Sequence, residues 1–143
     1  MSGNPTNGTR RRTPESSLRE IFLLAASEFP KERERAEVVA EALDFLQRGF
    51  AAHYEASVSD EGILVGDNDY AWAVETIARL DEPQFVEVAA RMIRDGSGYI
   101  ASGGAVSIAF WTPHLGELLS VLSEEGEAKS EERIRSACRE TSA

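Results

Sequence analysis

The stretch that decides the fold is residues 37–54, EVVAEALDFLQRGFAAHY. At 100° per residue, one side of a helix here carries the large apolar and aromatic side chains, namely Val39, Leu43, Leu46, Phe50, His53 and Tyr54. Four smaller or flanking residues widen that stripe: Val38, Ala42, Phe45 and Gly49. The charged residues gather on a narrow opposite arc made of Glu37, Glu41, Asp44, Arg48 and Glu55, and Gln47 is the main exception.

The width of this stripe predicts a central helix. A surface helix needs an apolar stripe only about 100° wide, and this one is much wider. We therefore expect other elements to cover it on most sides. The helix contains no proline, and its weak point is Gly49. An interior glycine costs about 1 kcal/mol relative to alanine and often permits close approach by another element.

Capping signals predict a helix before and a helix after the central one. Ser17-Leu18-Arg19-Glu20 is a capping box that opens a helix over about 18–29. Gly66-Asp67-Asn68-Asp69 offers caps for a helix over about 70–80.

Two more helices are predicted in the second half of the chain. Asp81-Glu82-Pro83-Gln84 combines a cap with proline in the first turn, and opens a helix to about residue 94. Thr112-Pro113 starts a last helix, with four leucines on one face at 115, 118, 119 and 122.

Three segments break the helical pattern. Val58 and Ile63-Leu64-Val65 flank a turn-like sequence, which suits a short hairpin or a plain loop. Residues 96–104, GSGYIASGG, have the composition of a flexible segment. Residues 105–111, AVSIAFW, alternate as a short strand does, with a helical extension as the alternative.

We predict a mainly α fold of about five helices packed around the central one, with at most a short hairpin or strand.

Charge and composition divide the chain into three parts. Residues 1–14 are rich in Gly, Asn, Thr and Pro, carry three arginines and no acid, and are predicted to be a disordered basic tail. Residues 15–125 form the single helical domain, and residues 126–143 are a polar C-terminal tail or a frayed helix. The net charge is −10 overall, so the part after the basic tail carries −13. An acidic body repels nucleic acid and anionic membranes and suits a basic partner.

The single cysteine, Cys138, bounds the chemistry and the compartment. It allows no disulfide within the chain and no zinc site built on cysteines, and it suits the reducing cytoplasm. The apolar run at residues 21–26 is too short for a signal peptide, and none approaches the roughly 20 residues of a membrane span. We therefore expect a cytoplasmic protein without membrane attachment.

Motifs for metal, nucleotide and acid–base chemistry are incomplete. Asp67-Asn68-Asp69 resembles the start of a calcium loop, but Trp72 and Ala78 occupy the places of its glycine and its glutamate. The glycines after residue 95 follow a helix and not a strand, which argues against a dinucleotide site. We expect no metal, no cofactor and no catalytic residue. His53 is interpreted as a hydrogen-bonded histidine in the core or at its edge, and His114 as a solvated cap residue.

One aromatic side chain lies off the predicted apolar stripe. On the helix over 70–80, Trp72 falls beside Glu75 and Arg79, away from the core positions. Because aromatic residues and arginine dominate interface hot spots, these three residues are the candidate partner-binding site. The sequence thus favours an acidic accessory protein that binds another protein or forms a homodimer. Packing of Trp72 against a neighbouring loop is the structural alternative.

Two other function classes stay open. A DNA-binding regulator of the winged-helix type would use basic residues at Arg10, Arg11, Arg12, Arg91 and Arg94. The acidic body argues against it, so nucleic acid is not the expected partner. A small enzyme would use His53 with buried carboxylates, and needs a pocket that sequence does not reveal.

Overall fold

The computed structural model describes residues 17–55 and 60–142. They form six α-helices: α1 (Leu18–Ala26), α2 (Arg33–Glu55), α3 (Asp60–Ala78), α4 (Pro83–Ala101), α5 (Ile108–Ser123) and α6 (Glu127–Ser142). A single 3-10 turn, Pro30–Glu32, joins α1 to α2. No residue of the described ranges is in a strand. The mainly α class predicted from sequence is confirmed.

Helix α2 is the centre of the packing. It contacts α1, α3, α4, α5 and the 3-10 turn. Its predicted apolar side chains are almost fully buried at Val39, Leu43, Leu46 and Phe50. Neighbouring helices cover α2 on several sides, as the width of its apolar stripe predicts. Tyr54, at the C-terminal end of the stripe, is half exposed.

Local signals explain where α1 and α4 begin. The Ser17 hydroxyl accepts a hydrogen bond from the Glu20 backbone N–H at 3.0 Å, and the Glu20 carboxylate accepts one from the Ser17 N–H. This is the predicted capping box. Proline occupies the first turn of α4, where its missing N–H has no helical partner to lose. The N-cap of α4 is Glu82, and no side chain caps it, so the predicted cap at Asp81 is wrong.

Neither the hairpin nor the plain loop expected before α3 forms over residues 60–65, because α3 already begins at Asp60 and includes residues 63–65. Residues 66–69, predicted as caps, lie inside the helix. The physical reason is the close packing of α3 against α2. A Cβ on Gly49 would lie 2.5 Å from the Tyr70 ring and 3.1 Å from the Gly66 carbonyl oxygen. Gly66 therefore allows α3 to pack closely on α2 and does not form a turn. Residues 56–59 lie outside the described ranges.

The strand expected at residues 105–111 is also absent, because α5 starts at Ile108. The Ser107 hydroxyl caps α5 by accepting from the Phe110 N–H at 3.4 Å. A strand would have buried the alternating residues ending at Phe110, yet Phe110 is only half-buried and Trp111 is 3% exposed. The helical alternative is correct, and Pro113 lies within α5.

The segment expected to be flexible, residues 96–104, is mostly helical. Helix α4 continues to Ala101, and Gly103 then turns the chain with φ +95°. Gly96 is buried because the rings of Phe50 and Trp111 occupy the space a side chain would need.

The polar C-terminal segment, for which sequence indicates a tail or frayed helix, is α6. It packs on α1 and α5 and buries Ile134 and Ala137. The predicted basic tail, residues 1–14, lies outside the described ranges.

Candidate partner-binding surface

Trp72 lies on the outer side of α3, supported by a ring of α2. Its side chain is 44% exposed. Its ring stacks on Phe45, with 6.2 Å between ring centroids and 22° between ring planes. The Arg48 guanidinium lies 4.7 Å from the centroid of the same Phe45 ring. One face of the indole therefore packs on Phe45, and the rest of the side chain is open to solvent.

Glu75 and Arg79 lie on the same side of α3 as Trp72, one and two turns further on. Both are exposed. Arg79 reaches back to Glu41 of α2, with 3.9 Å between Nη1 and Oε1. The structure therefore brings the three predicted residues together with two α2 residues, Glu41 and Phe45. The Trp72 face is defined here as Trp72, Glu75, Arg79, Glu41, Phe45, Arg48, Asp44 and Asp69.

The ion pairs of the Trp72 face are long, and their side chains are solvent-exposed except for Asp69, which is 17% exposed. Arg48 lies 3.7 Å from Asp44 and 4.0 Å from Asp69, measured between nitrogen and carboxylate oxygen. Pairs of this kind contribute about 0–1 kcal/mol each. The face holds four carboxylates and two guanidiniums, so its net charge is −2. A cationic partner can therefore re-pair these groups at small cost.

The two arginines of the nucleic-acid alternative that the structure describes, Arg91 and Arg94, are engaged with carboxylates. Arg91 donates from one nitrogen to both carboxylate oxygens of Glu117, at 2.7 and 2.8 Å. That hydrogen bond raises the pKa of Arg91. Arg94 lies 3.3 Å from Asp95. Arg10, Arg11 and Arg12 lie outside the described ranges.

His53 sits at the edge of the core, as predicted. Its side chain is 17% exposed, and its Nε2 lies 3.1 Å from Oδ1 of Asp67 on α3. The Tyr70 ring meets it edge-on at 4.8 Å between centroids. Burial raises the pKa of Tyr70 to about 12. The Tyr70 hydroxyl faces Ser97 of α4, yet it makes no hydrogen bond of normal geometry to any described residue.

His114 is not the solvated cap residue expected from sequence. Because α5 begins at Ile108, His114 falls in the second turn and faces α4, where its side chain is 12% exposed. Its Nε2 lies 3.0 Å from Oδ2 of Asp95. This hydrogen bond, followed by one from Arg94, lowers the pKa of Asp95. Sequence reasoning missed the pair because it placed the N-cap of this helix at Thr112, five residues after the observed N-cap, Ser107.

Sequence reasoning also missed a groove between α1 and α2. Two adjoining cavities of about 380 and 430 Å³ share Leu23 and Glu37 in their walls. One is mainly apolar, with Phe29 and Pro30 in its lining, and the other carries Arg19, Glu41 and Asp44. The groove touches the Trp72 face through Glu41 and Asp44.

Other reactive groups of the described residues stand apart from one another. No three His, Cys, Asp or Glu side chains in residues 17–55 and 60–142 are placed to hold a metal ion. Burial raises the pKa of the half-buried Cys138 thiol, which keeps it protonated and weakly nucleophilic near neutral pH.

Comparison with protein-family models, with characterised proteins and with solved structures finds no match to this chain. Among the helices of the described ranges, none combines the length and the apolar character that crossing a lipid bilayer requires.

Proposed function

We propose that this chain is a small acidic binding protein of the cytoplasm, without catalytic activity, that holds a basic segment of a partner protein on the Trp72 face. The observation that carries the proposal is that the Trp72 ring stacks on Phe45 while the Trp72 side chain remains 44% exposed. Tryptophan is among the residues most enriched at the energetic centres of protein interfaces.

The stack supports binding because it lowers the entropic cost of association. A side chain that must be immobilised on binding costs about 0.5–1.5 kcal/mol. The Trp72 ring already packs on Phe45, and Phe45 is partly buried against the hydrophobic core. Its exposed area is therefore available to a partner with little further ordering.

The charge distribution supports a cationic partner. The chain after the basic tail carries −13, and the Trp72 face itself carries −2. An acidic surface accelerates encounter with a Lys- or Arg-rich segment and disfavours nucleic acid. The aliphatic parts of such side chains can pack on the indole while their charged ends reach Glu75 and Glu41.

The test is a native pull-down from an extract of the source organism with wild type, Trp72→Ala and Tyr54→Ala, followed by titration of each purified captured protein. Tyr54 is the matched control, because it is a similarly exposed aromatic residue and lies nine residues from Phe45, on the opposite side of α2. We expect a partner with a basic segment, whose Kd rises about thirtyfold or more with Trp72→Ala, in line with a hot spot of about 2 kcal/mol. The Kd with Tyr54→Ala should stay within about threefold of wild type.

Either of two results would overturn the proposal. One is capture of the same proteins with equal affinity by wild type and Trp72→Ala. The other is capture of nucleic acid that is released at high salt, which would instead support the regulator that uses Arg91 and Arg94.

A further inference from the structure

The chain contains one long interval without charge. The 21 residues between Asp95 and Glu117 include no Asp, Glu, Lys or Arg. At the 28% charged content of the whole chain, about six charged residues would be expected there. Burial explains only part of this interval, because Gly96, Trp111, Leu115 and Gly116 are its core residues.

The rest of the interval forms a surface. The end of α4, the loop after it and the start of α5 present Tyr99, Ala105, Val106, Ala109 and Phe110, which we name the uncharged cap. Tyr99 is 43% exposed, Ala105 and Ala109 are exposed, and the other two are half-buried. Apolar patches on a protein surface often mark sites of interaction with another protein.

The aromatic pair of the cap is rigid. Tyr99 stacks on Phe110 with 4.8 Å between centroids and 20° between planes. Phe110 in turn meets the buried Trp111 edge-on at 4.8 Å. Gly104 makes room for Tyr99, since a Cβ there would lie 2.6 Å from the ring. The cap is thus ordered before anything binds to it.

We propose that the uncharged cap is the interface of a homodimer, with a second copy of this chain as its occupant. Two copies carrying −10 each repel wherever their charged faces meet. A two-fold interface brings the same patch of both copies together, so an uncharged patch avoids the repulsion that two net-negative faces would meet. A basic partner is attracted to the acidic faces, whereas the uncharged cap offers it no opposite charge. Tyr and Phe are also enriched, and Glu and Lys depleted, at interface centres.

The test is the molar mass of the full chain in solution, by light scattering and sedimentation over a range of concentrations, for three proteins: wild type, Ala109→Glu and Ala128→Glu. Both alanines are exposed and each is the second residue of its helix, α5 or α6. Both substitutions therefore add the same charge at equivalent helix positions. We expect wild type and Ala128→Glu to reach about twice 15.7 kDa. Ala109→Glu should dissociate at least about tenfold more readily, because it places like charges across the interface.

Salt provides an independent readout. Screening reduces the repulsion between two acidic copies, so the wild-type dimer should tighten as NaCl increases. A wild-type chain that stays at 15.7 kDa at all concentrations would overturn the proposal. So would an Ala109→Glu protein that keeps a native circular dichroism spectrum and dimerises as wild type does. Trp72→Ala should remain dimeric, which separates this result from the test of partner binding.

Discussion

At the scale of single residues, the packing of the aromatic core depends on a glycine, Gly96, that leaves room for two rings. Phe50 and Trp111 stack with 4.5 Å between centroids and 23° between planes. A Cβ on Gly96 would lie 2.6 Å from Trp111 and 2.7 Å from Phe50. These rings are packed on several sides and cannot retreat, so Gly96 sets how closely α4 approaches α2 and α5.

This packing predicts opposite effects for two glycines of α4. Gly96→Ala should lower the free energy of unfolding by about 1–3 kcal/mol, because overpacking the rings outweighs the gain in helix propensity. Gly98→Ala should raise it by about 0.4–1 kcal/mol, because nothing lies within 4 Å of the added methyl group. Urea unfolding followed by circular dichroism measures both. Equal changes at the two positions would mean that the aromatic core tolerates an added methyl group.

At the scale of secondary-structure elements, α6 shows how a polar helix can belong to the core. It packs on both α1 and α5 through a narrow stripe that includes Ser130, Ile134 and Ala137. Gly116 lets the backbones of α5 and α6 approach, since a Cβ there would lie 3.0 Å from Cα of Glu131.

Arg133 adds a polar connection at the edge of this contact. It donates to both carboxylate oxygens of Glu125 at 2.7 and 3.1 Å and lies 5.1 Å from the centroid of the Phe29 ring. That hydrogen bond to Arg133 lowers the pKa of Glu125. The arginine thus links α6 to the α5–α6 connection and to the segment after α1.

The packing of α6 predicts a clear cost for removing its one large buried side chain. Ile134→Ala should reduce the free energy of unfolding by about 2–4 kcal/mol, because it opens a cavity at a position with no exposed surface. Ser136→Ala, at an exposed position in the same helix, should change it by less than about 0.5 kcal/mol. Denaturant unfolding of both variants gives the comparison. A negligible effect of Ile134→Ala would mean that α6 contributes little to the folded state.

At the scale of the whole molecule, the dominant electrostatic property is the excess of acid. The chain has 25 acidic and 15 basic side chains. Many of the cations are already in exposed ion pairs, such as Arg33 with Glu37 and Arg139 with Glu132. Exposed pairs contribute about 0–1 kcal/mol each, whereas the unpaired acids repel one another across the molecule.

This balance predicts that salt stabilises the protein. Raising NaCl from about 20 to about 300 mM should raise the thermal unfolding midpoint by a few degrees, because repulsion among the excess acids is screened. A variant with Glu34→Gln, Glu87→Gln and Glu127→Gln, three exposed positions, should show a smaller increase. Calorimetry at several salt concentrations measures the midpoints. A midpoint that falls with salt would indicate that ion pairs outweigh the net repulsion.

The helical class, the central position of α2 and the starts of α1 and α4 were predictable from sequence. Each depends on signals within a few residues: the wide apolar stripe of α2, the Ser17–Glu20 box and the proline at position 83. The exposed position of Trp72 followed in the same way, because helical periodicity alone separates one side of α3 from the other.

The remainder depended on contacts between residues far apart in the chain. Gly66 and Gly96 lie in sequence segments that are typical of turns or flexible loops. Both are nevertheless inside helices, where residues of other helices occupy the space beside them. Helix α5 starts early because burying Trp111 against Phe50 outweighs the alternating pattern of residues 105–111. The support of Trp72 by Phe45 and the pairing of His114 with Asp95 also join different helices, and no local pattern encodes which helices become neighbours.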